Sequence, residues 1–141
     1  MKKVILNKCY GGFGLSPKAY QLYAKKKGFQ VFAYKGNYDR ERKAIYYTKL
    51  NYLSENPTVS YFTKDFGDNA WVNEEEYEKY NLHLSCGYRE DKTLIEVIEE
   101  LGDEANSIYS KLVIVEIPDD LDYTIDEYDG IETLHQKVQE W

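Results

Sequence analysis

Within its first twenty residues the chain writes a strand, a glycine-rich turn and a helix N-terminus back to back. Val4-Ile5-Leu6 is an apolar run. Gly11, Gly12 and Gly14 follow Asn7-Lys8-Cys9-Tyr10, and Ser16-Pro17 opens a helix. Serine is a strong N-cap, and proline suits the first helical position, where its missing N–H is not needed. The first N–H groups of a helix are unpaired and its dipole favours negative charge there, so this layout can hold an anion. Lys8 and Lys18 flank the turn and would add charge. The spacing matches neither the P-loop nor the dinucleotide fingerprint. A tight strand-to-helix turn with Phe13 as a core plug explains the same residues, and both readings stay open.

The rest of the chain reads as an α+β pattern. Residues 3–9 form the first strand and 17–27 the first helix, with Lys25-Lys26-Lys27 in its last turn and Gly28 just past it. Phe29–Tyr34, Lys43–Leu53 and Val59–Thr63 read as strands of an antiparallel meander, with a turn over Lys35–Arg42 and a break at Asn56-Pro57. Glu74–Tyr80 reads as a short acidic helix and Leu82–Leu84 as a short strand. Asp91 caps the clearest helix, whose stripe is Leu94, Ile95, Ile98, Leu101 and Ala105, with a bend expected at Gly102. Leu112–Ile117 (LVIVEI) predicts a central strand buried on both faces, beside the first strand. Tyr123–Tyr128 and the Asp129-Gly130 turn suggest a hairpin. Ile131, Leu134, Val138 and Trp141 have helical spacing, so the tail is a helix or a returning strand. The expected fold is one α+β domain over residues 1–141, with a mixed or antiparallel sheet of about five to seven strands covered by two main helices.

Composition narrows the function classes. No apolar run nears the roughly 18 residues of a membrane span. The start lacks the pattern of a signal peptide, so the expected location is the cytosol, with Cys9 and Cys86 as reduced thiols. Residues 1–64 hold thirteen lysines and arginines against three acids, and residues 65–141 hold five against twenty-two. The net charge of −7 argues against non-specific nucleic-acid binding. The acidic half either folds against the basic half or docks on a basic protein. Fifteen tyrosines suit packed sheet faces and binding surfaces alike.

Four constellations could carry chemistry. Cys9 lies near a helix N-terminus, where a thiol can be activated, but sequence places neither His83 nor His135 as its base. Cys9, His83, Cys86 and His135 lack zinc spacing, and no metal or cofactor is expected. Glu116, Asp119, Asp120, Asp122, Asp126, Glu127, Asp129 and Glu132 read as a solvated acidic face or a partner surface. The middle interleaves tyrosines, among them Tyr34, Tyr38, Tyr46, Tyr47, Tyr52 and Tyr61, with Lys35, Arg40, Arg42, Lys43 and Lys49. Aromatic faces with cations between them can stack a base and pair a phosphate. The candidate ligand residues are therefore Lys8, Gly11, Gly12, Phe13, Gly14, Ser16, Lys18, Arg40, Arg42, Lys43, Tyr46 and Arg89, with no catalytic residue assigned.

The run Asn7-Lys8-Cys9-Tyr10-Gly11-Gly12-Phe13-Gly14-Leu15-Ser16 resembles the opening of a family of small conserved bacteriophage proteins. Tyr88-Arg89-Glu90-Asp91, Glu99-Glu100-Leu101-Gly102, Val115-Glu116-Ile117-Pro118-Asp119-Asp120, Glu127-Tyr128-Asp129-Gly130-Ile131-Glu132 and the closing Trp141 fit it as well. Residues 30–85 match poorly and are expanded. In place of the family's histidine-arginine pair, Gln136 follows His135. The resemblance implies a phage setting and transfers no catalytic residue. Three expectations follow: from the glycine turn, the basic aromatic middle and the phage setting, a non-enzymatic binder of a nucleotide-like anion that sequesters a host defence signal; from the acidic half, an antagonist of a basic host protein; or, from Cys9 or the acidic residues, a small hydrolase or transferase. A homo-oligomer with a pocket at its interface is compatible with the first.

Overall fold

The structure, a computed structural model, describes residues 1–51 and 59–137. The expected break at Asn56-Pro57, together with Tyr52, Leu53, Val138 and Trp141, lies outside them. The chain is α+β, with its described strands in three antiparallel sheets. It divides into two compact units, residues 1–19 with 84–141, and residues 20–83. No helix among the described residues is long and apolar enough to cross a membrane.

In the first unit, β1 (Lys2–Asn7) pairs antiparallel with β6 (Leu112–Ile117) along all six residues. β7 (Tyr123–Tyr128) and β8 (Ile131–Gln136) form a hairpin, so residues 131–136 of the tail are a returning strand. Val4, Leu6 and Ile117 anchor a cluster with Val113, Val115, Leu121, Tyr123, Ile125 and Leu134. β6 is not the doubly buried central strand its composition suggests. It lies in a two-stranded sheet, half-buried at Val113, Ile114 and Val115 and exposed at Glu116. The deeper strand is β1, whose Val4 to Asn7 are all buried. α3 (Lys92–Leu101) buries Leu94, Ile95, Val97 and Ile98, and the Lys3–Glu99 ion pair at 2.9 Å marks where it meets β1. Gly102, at φ +59°, ends this helix, and a short 3-10 turn continues to the fully buried Ala105.

The Asp91 carboxylate accepts the Leu94 N–H at 2.9 Å and so caps α3. Asp91→Ala is expected to cost about 1 kcal/mol, the usual value of a lost N-cap, as read by urea unfolding.

In the second unit, β2 (Phe32–Asp39), β3 (Ala44–Lys49), β4 (Val59–Phe62) and β5 (Asn69–Trp71) form a sheet in the order β4-β2-β3-β5. The simple meander is therefore corrected: β4 returns to β2, where its register sets Phe62 opposite Phe32. The aromatic core explains this choice, because Phe62 meets Tyr34 and Tyr47 edge-on at 5.6 and 5.4 Å. The turn expected over Lys35–Arg42 is also shorter than its Gly-Asn pair suggests. β2 runs on to Asp39, with Gly36 opposite Tyr47 and the Asn37 amide donating to Thr48 Oγ1 at 3.2 Å. Leu82–Leu84 is not a strand; it is buried at Leu82 and Leu84, after a single bridge from Asn81 to Phe62.

α1 (Pro17–Lys27) stacks Tyr20 on Tyr61 at 4.3 Å on one face of this sheet. α2 (Glu74–Tyr80), capped by the Asn73 side chain, packs Tyr77 against Tyr47 and Phe62 on the other. Tyr34 is fully buried, yet its hydroxyl donates to the Gly67 carbonyl and accepts from the Phe66 N–H.

Candidate binding groove

Strand length sets up the groove. Seven helical residues make α2 roughly 10 Å long, whereas eight strand residues carry β2 roughly 27 Å. The helix therefore covers the Tyr47 end of its sheet face and stops short of the β2–β3 tip. By the alternation of the pleat, Tyr38 and Ile45 lie on the same face as Tyr47, beyond the helix, and both are exposed. What results is an open groove of about 720 Å3, lined by Tyr38, Lys43, Ile45, Tyr47, Trp71 and Tyr77.

The tip is held in one shape. Asp39 Oδ1 accepts the N–H groups of Glu41 and Arg42 at 2.9 and 3.2 Å. Lys43 then takes φ +52°, a left-handed conformation that a lysine adopts at some cost. Arg42 lies 5.1 Å from the ring centre of Trp71, and Tyr46 packs on the same ring at 5.5 Å. Trp71 keeps 46% of its surface exposed, unusual for so large an apolar ring. Trp71 stands opposite Tyr46 in the register, so by the same alternation the Arg42–Trp71–Tyr46 stack lies on the other face of the sheet, and the groove itself joins an aromatic and apolar floor to Lys43 at its rim.

The expected ligand residues fall into two groups. Arg40, Arg42, Lys43 and Tyr46 belong to the second unit and lie at or beside the β2–β3 tip. Lys8, Gly11, Gly12, Phe13, Gly14, Ser16, Lys18 and Arg89 belong to the first unit. There the glycine turn already has internal partners. The Gly11 N–H donates to the Asp129 carbonyl at 3.1 Å. Ser16 Oγ caps α1 by accepting from Ala19 and donates to the Glu104 carbonyl. Lys18 pairs with Glu104, and Lys8 Nζ donates to the Glu132 carbonyl.

Arg89 forms a two-pronged ion pair with Glu132, donates to the Ile5 carbonyl at 2.9 Å and lies over the Phe13 ring. Burial pushes the Glu132 carboxyl up, but the bonds from Arg89 and the Asn7 N–H outweigh it and hold the carboxyl below its ordinary value. The same pairing raises Arg89. Glu132 is therefore removed from the solvated acidic face on which its spacing put it. Asn7, fully buried, donates its amide to the carbonyls of Cys9 and Gly130 and accepts from the Lys111 N–H. Nothing in the local pattern of Asn7 or Glu132 announces this hub, because most of its bonds join residues far apart in sequence: 125 positions from Asn7 to Glu132 and 43 from Arg89 to Glu132.

His83 lies in the second unit, and Cys9, Cys86 and His135 in the first. His135 faces Asp126 at 3.1 Å, and the Cys9 thiol donates to the neighbouring Tyr10 carbonyl. Among the described residues no three metal-ligating side chains gather. Neither a protein-family profile, a curated protein nor a solved structure matches the chain.

Proposed function

We propose that this is a non-enzymatic binding protein for a nucleotide-like anionic small molecule, held in the groove at the β2–β3 tip. The supporting observation is the groove itself: about 720 Å3 of aromatic-lined space with Lys43 on its wall. Small-molecule sites commonly occupy about 300–1,000 Å3 and combine apolar walls with a few polar anchors. A planar base would stack on Tyr38, and its phosphate would meet Lys43 at the turn. In the phage setting implied by residues 7–16, such a binder would remove a host defence signal from solution.

Titration calorimetry with mono-, di- and cyclic nucleotides tests the reading. At least one is expected to bind below the millimolar range, and Tyr38→Ala to weaken it by about 5- to 150-fold, the value of one stacked base. Absence of binding by every nucleotide below the millimolar range overturns it.

A further inference from the structure

We propose that the loops meeting around Gly11 form a second, independent surface that docks a positively charged protein. Residues 10–14, 106–110 and 128–130 converge in the first unit. Together they expose four large apolar side chains: Tyr10 at 65%, Ile108 at 71%, Tyr109 at 67% and Tyr128 at 76%. That is half of the exposed large hydrophobic residues described. Scattered exposed rings need no explanation, but a cluster of them marks an interaction site.

Contacts between the loops hold the backbones that carry these side chains. A Cβ on Gly11 would lie 2.6 Å from Tyr109 Cβ, and one on Gly130 would lie 2.4 Å from the Gly12 nitrogen. Asp129 accepts from Gly11, and Ser110 Oγ donates to the Gly14 carbonyl at 2.7 Å. The glycines are therefore what lets three chain segments touch and point their neighbours outward. Tyrosines on a fixed backbone lose little freedom on binding and often carry the energy of an interface.

Charge chooses the partner. The unit that holds these loops has sixteen acids and eight lysines and arginines. Asp126, Glu127 and Asp129 stand on the hairpin that carries Tyr128, and Asp103 and Glu104 precede Ile108. Lys18, the cation nearest Glu104, is already paired with it. Two copies of such a surface repel one another. A protein with lysine and arginine around an apolar patch is attracted, and its guanidinium groups can lie on the tyrosine faces.

The test introduces a benzophenone amino acid at Tyr109, at Tyr128 and, as a control, at exposed Asp120, in cells that naturally contain the protein. The expected result is one adduct at 109 and 128, absent at 120, with a basic protein. That protein, purified, should bind the wild type at least about tenfold more tightly than the Tyr109→Ser/Tyr128→Ser variant. Its affinity should also fall at least about tenfold between 50 and 300 mM salt. If the Tyr109 substitution unfolds the loops, Tyr128→Ser alone carries the comparison. An adduct with a second copy, an acidic or salt-insensitive partner, labelling shared with position 120, or no adduct overturns the proposal.

Discussion

Arg89→Met is expected to cost about 3–5 kcal/mol in urea unfolding, because it leaves the Glu132 carboxylate buried without its counter-charge. Glu132 is 5% exposed, and its oxygens are met by Arg89 and by the Asn7 N–H at 2.7 Å. Such a loss is a large share of the roughly 5–15 kcal/mol that holds a domain together. The double variant Arg89→Met/Glu132→Gln should recover at least half of it. Glutamine removes the stranded charge yet keeps an acceptor for Asn7, and a buried pair replaced by neutral groups is often nearly neutral in stability. A single-variant loss below about 1 kcal/mol would place this pair with ordinary surface salt bridges instead.

The same pair predicts a pH dependence with a definite sign. In the wild type the Glu132 carboxyl is held below its ordinary value of 4.5. Its contribution is therefore complete above about pH 4.5 and is lost as pH falls through the lower folded value. Without Arg89, burial dominates and moves the carboxyl upward, so acid relieves the variant before it harms the wild type. The stability gap between the two should narrow as pH falls from 7 to 5. A gap that widens would show that Arg89 does not set the ionisation of Glu132.

Local signals were legible where local physics decides. Ser16-Pro17 and Asp91 mark helix starts because their capping partners lie three residues away. Asp129-Gly130 marks the β7–β8 turn for the same reason. Pairing partners were less legible. LVIVEI does lie beside the first strand as its composition suggested, but composition does not reveal that β1 is its one ladder neighbour among the described residues. Gly36-Asn37 looks like a turn, whereas the turn is set by Asp39, whose carboxylate binds the next two free N–H groups. The aromatic–basic middle was visible as a pattern. Its division on the α2 face into a buried pair (Tyr34, Tyr47) and an exposed rim (Tyr38, Ile45) was not, since that depends on how far α2 reaches along the sheet. The charge split between the chain halves dissolves in the fold. Residues 20–83 hold ten cations and nine acids, so the basic middle is balanced within its own unit.

Gly130→Ala is the sharpest test of how the opening glycines are used. The residue has φ +94°, where alanine is strained by about 1 kcal/mol. Its new Cβ would also lie 2.4 Å from the Gly12 nitrogen, 2.6 Å from the Gly11 nitrogen and 3.0 Å from the Cys9 carbonyl oxygen. These are backbone atoms and cannot swing aside, so overpacking adds roughly 1–3 kcal/mol. The total expected loss is about 2–4 kcal/mol, with a fall in Tm to match. Gly12→Ala is the control. It has φ +105° but open space around it, so only the conformational cost of about 1 kcal/mol applies. If the two variants lose the same stability, the β7–β8 turn does not press on the glycine loop in solution. If Gly130→Ala loses far more, the glycines exist to let the turn settle on the loop, and the Gly11 N–H is committed to Asp129, not to a bound anion.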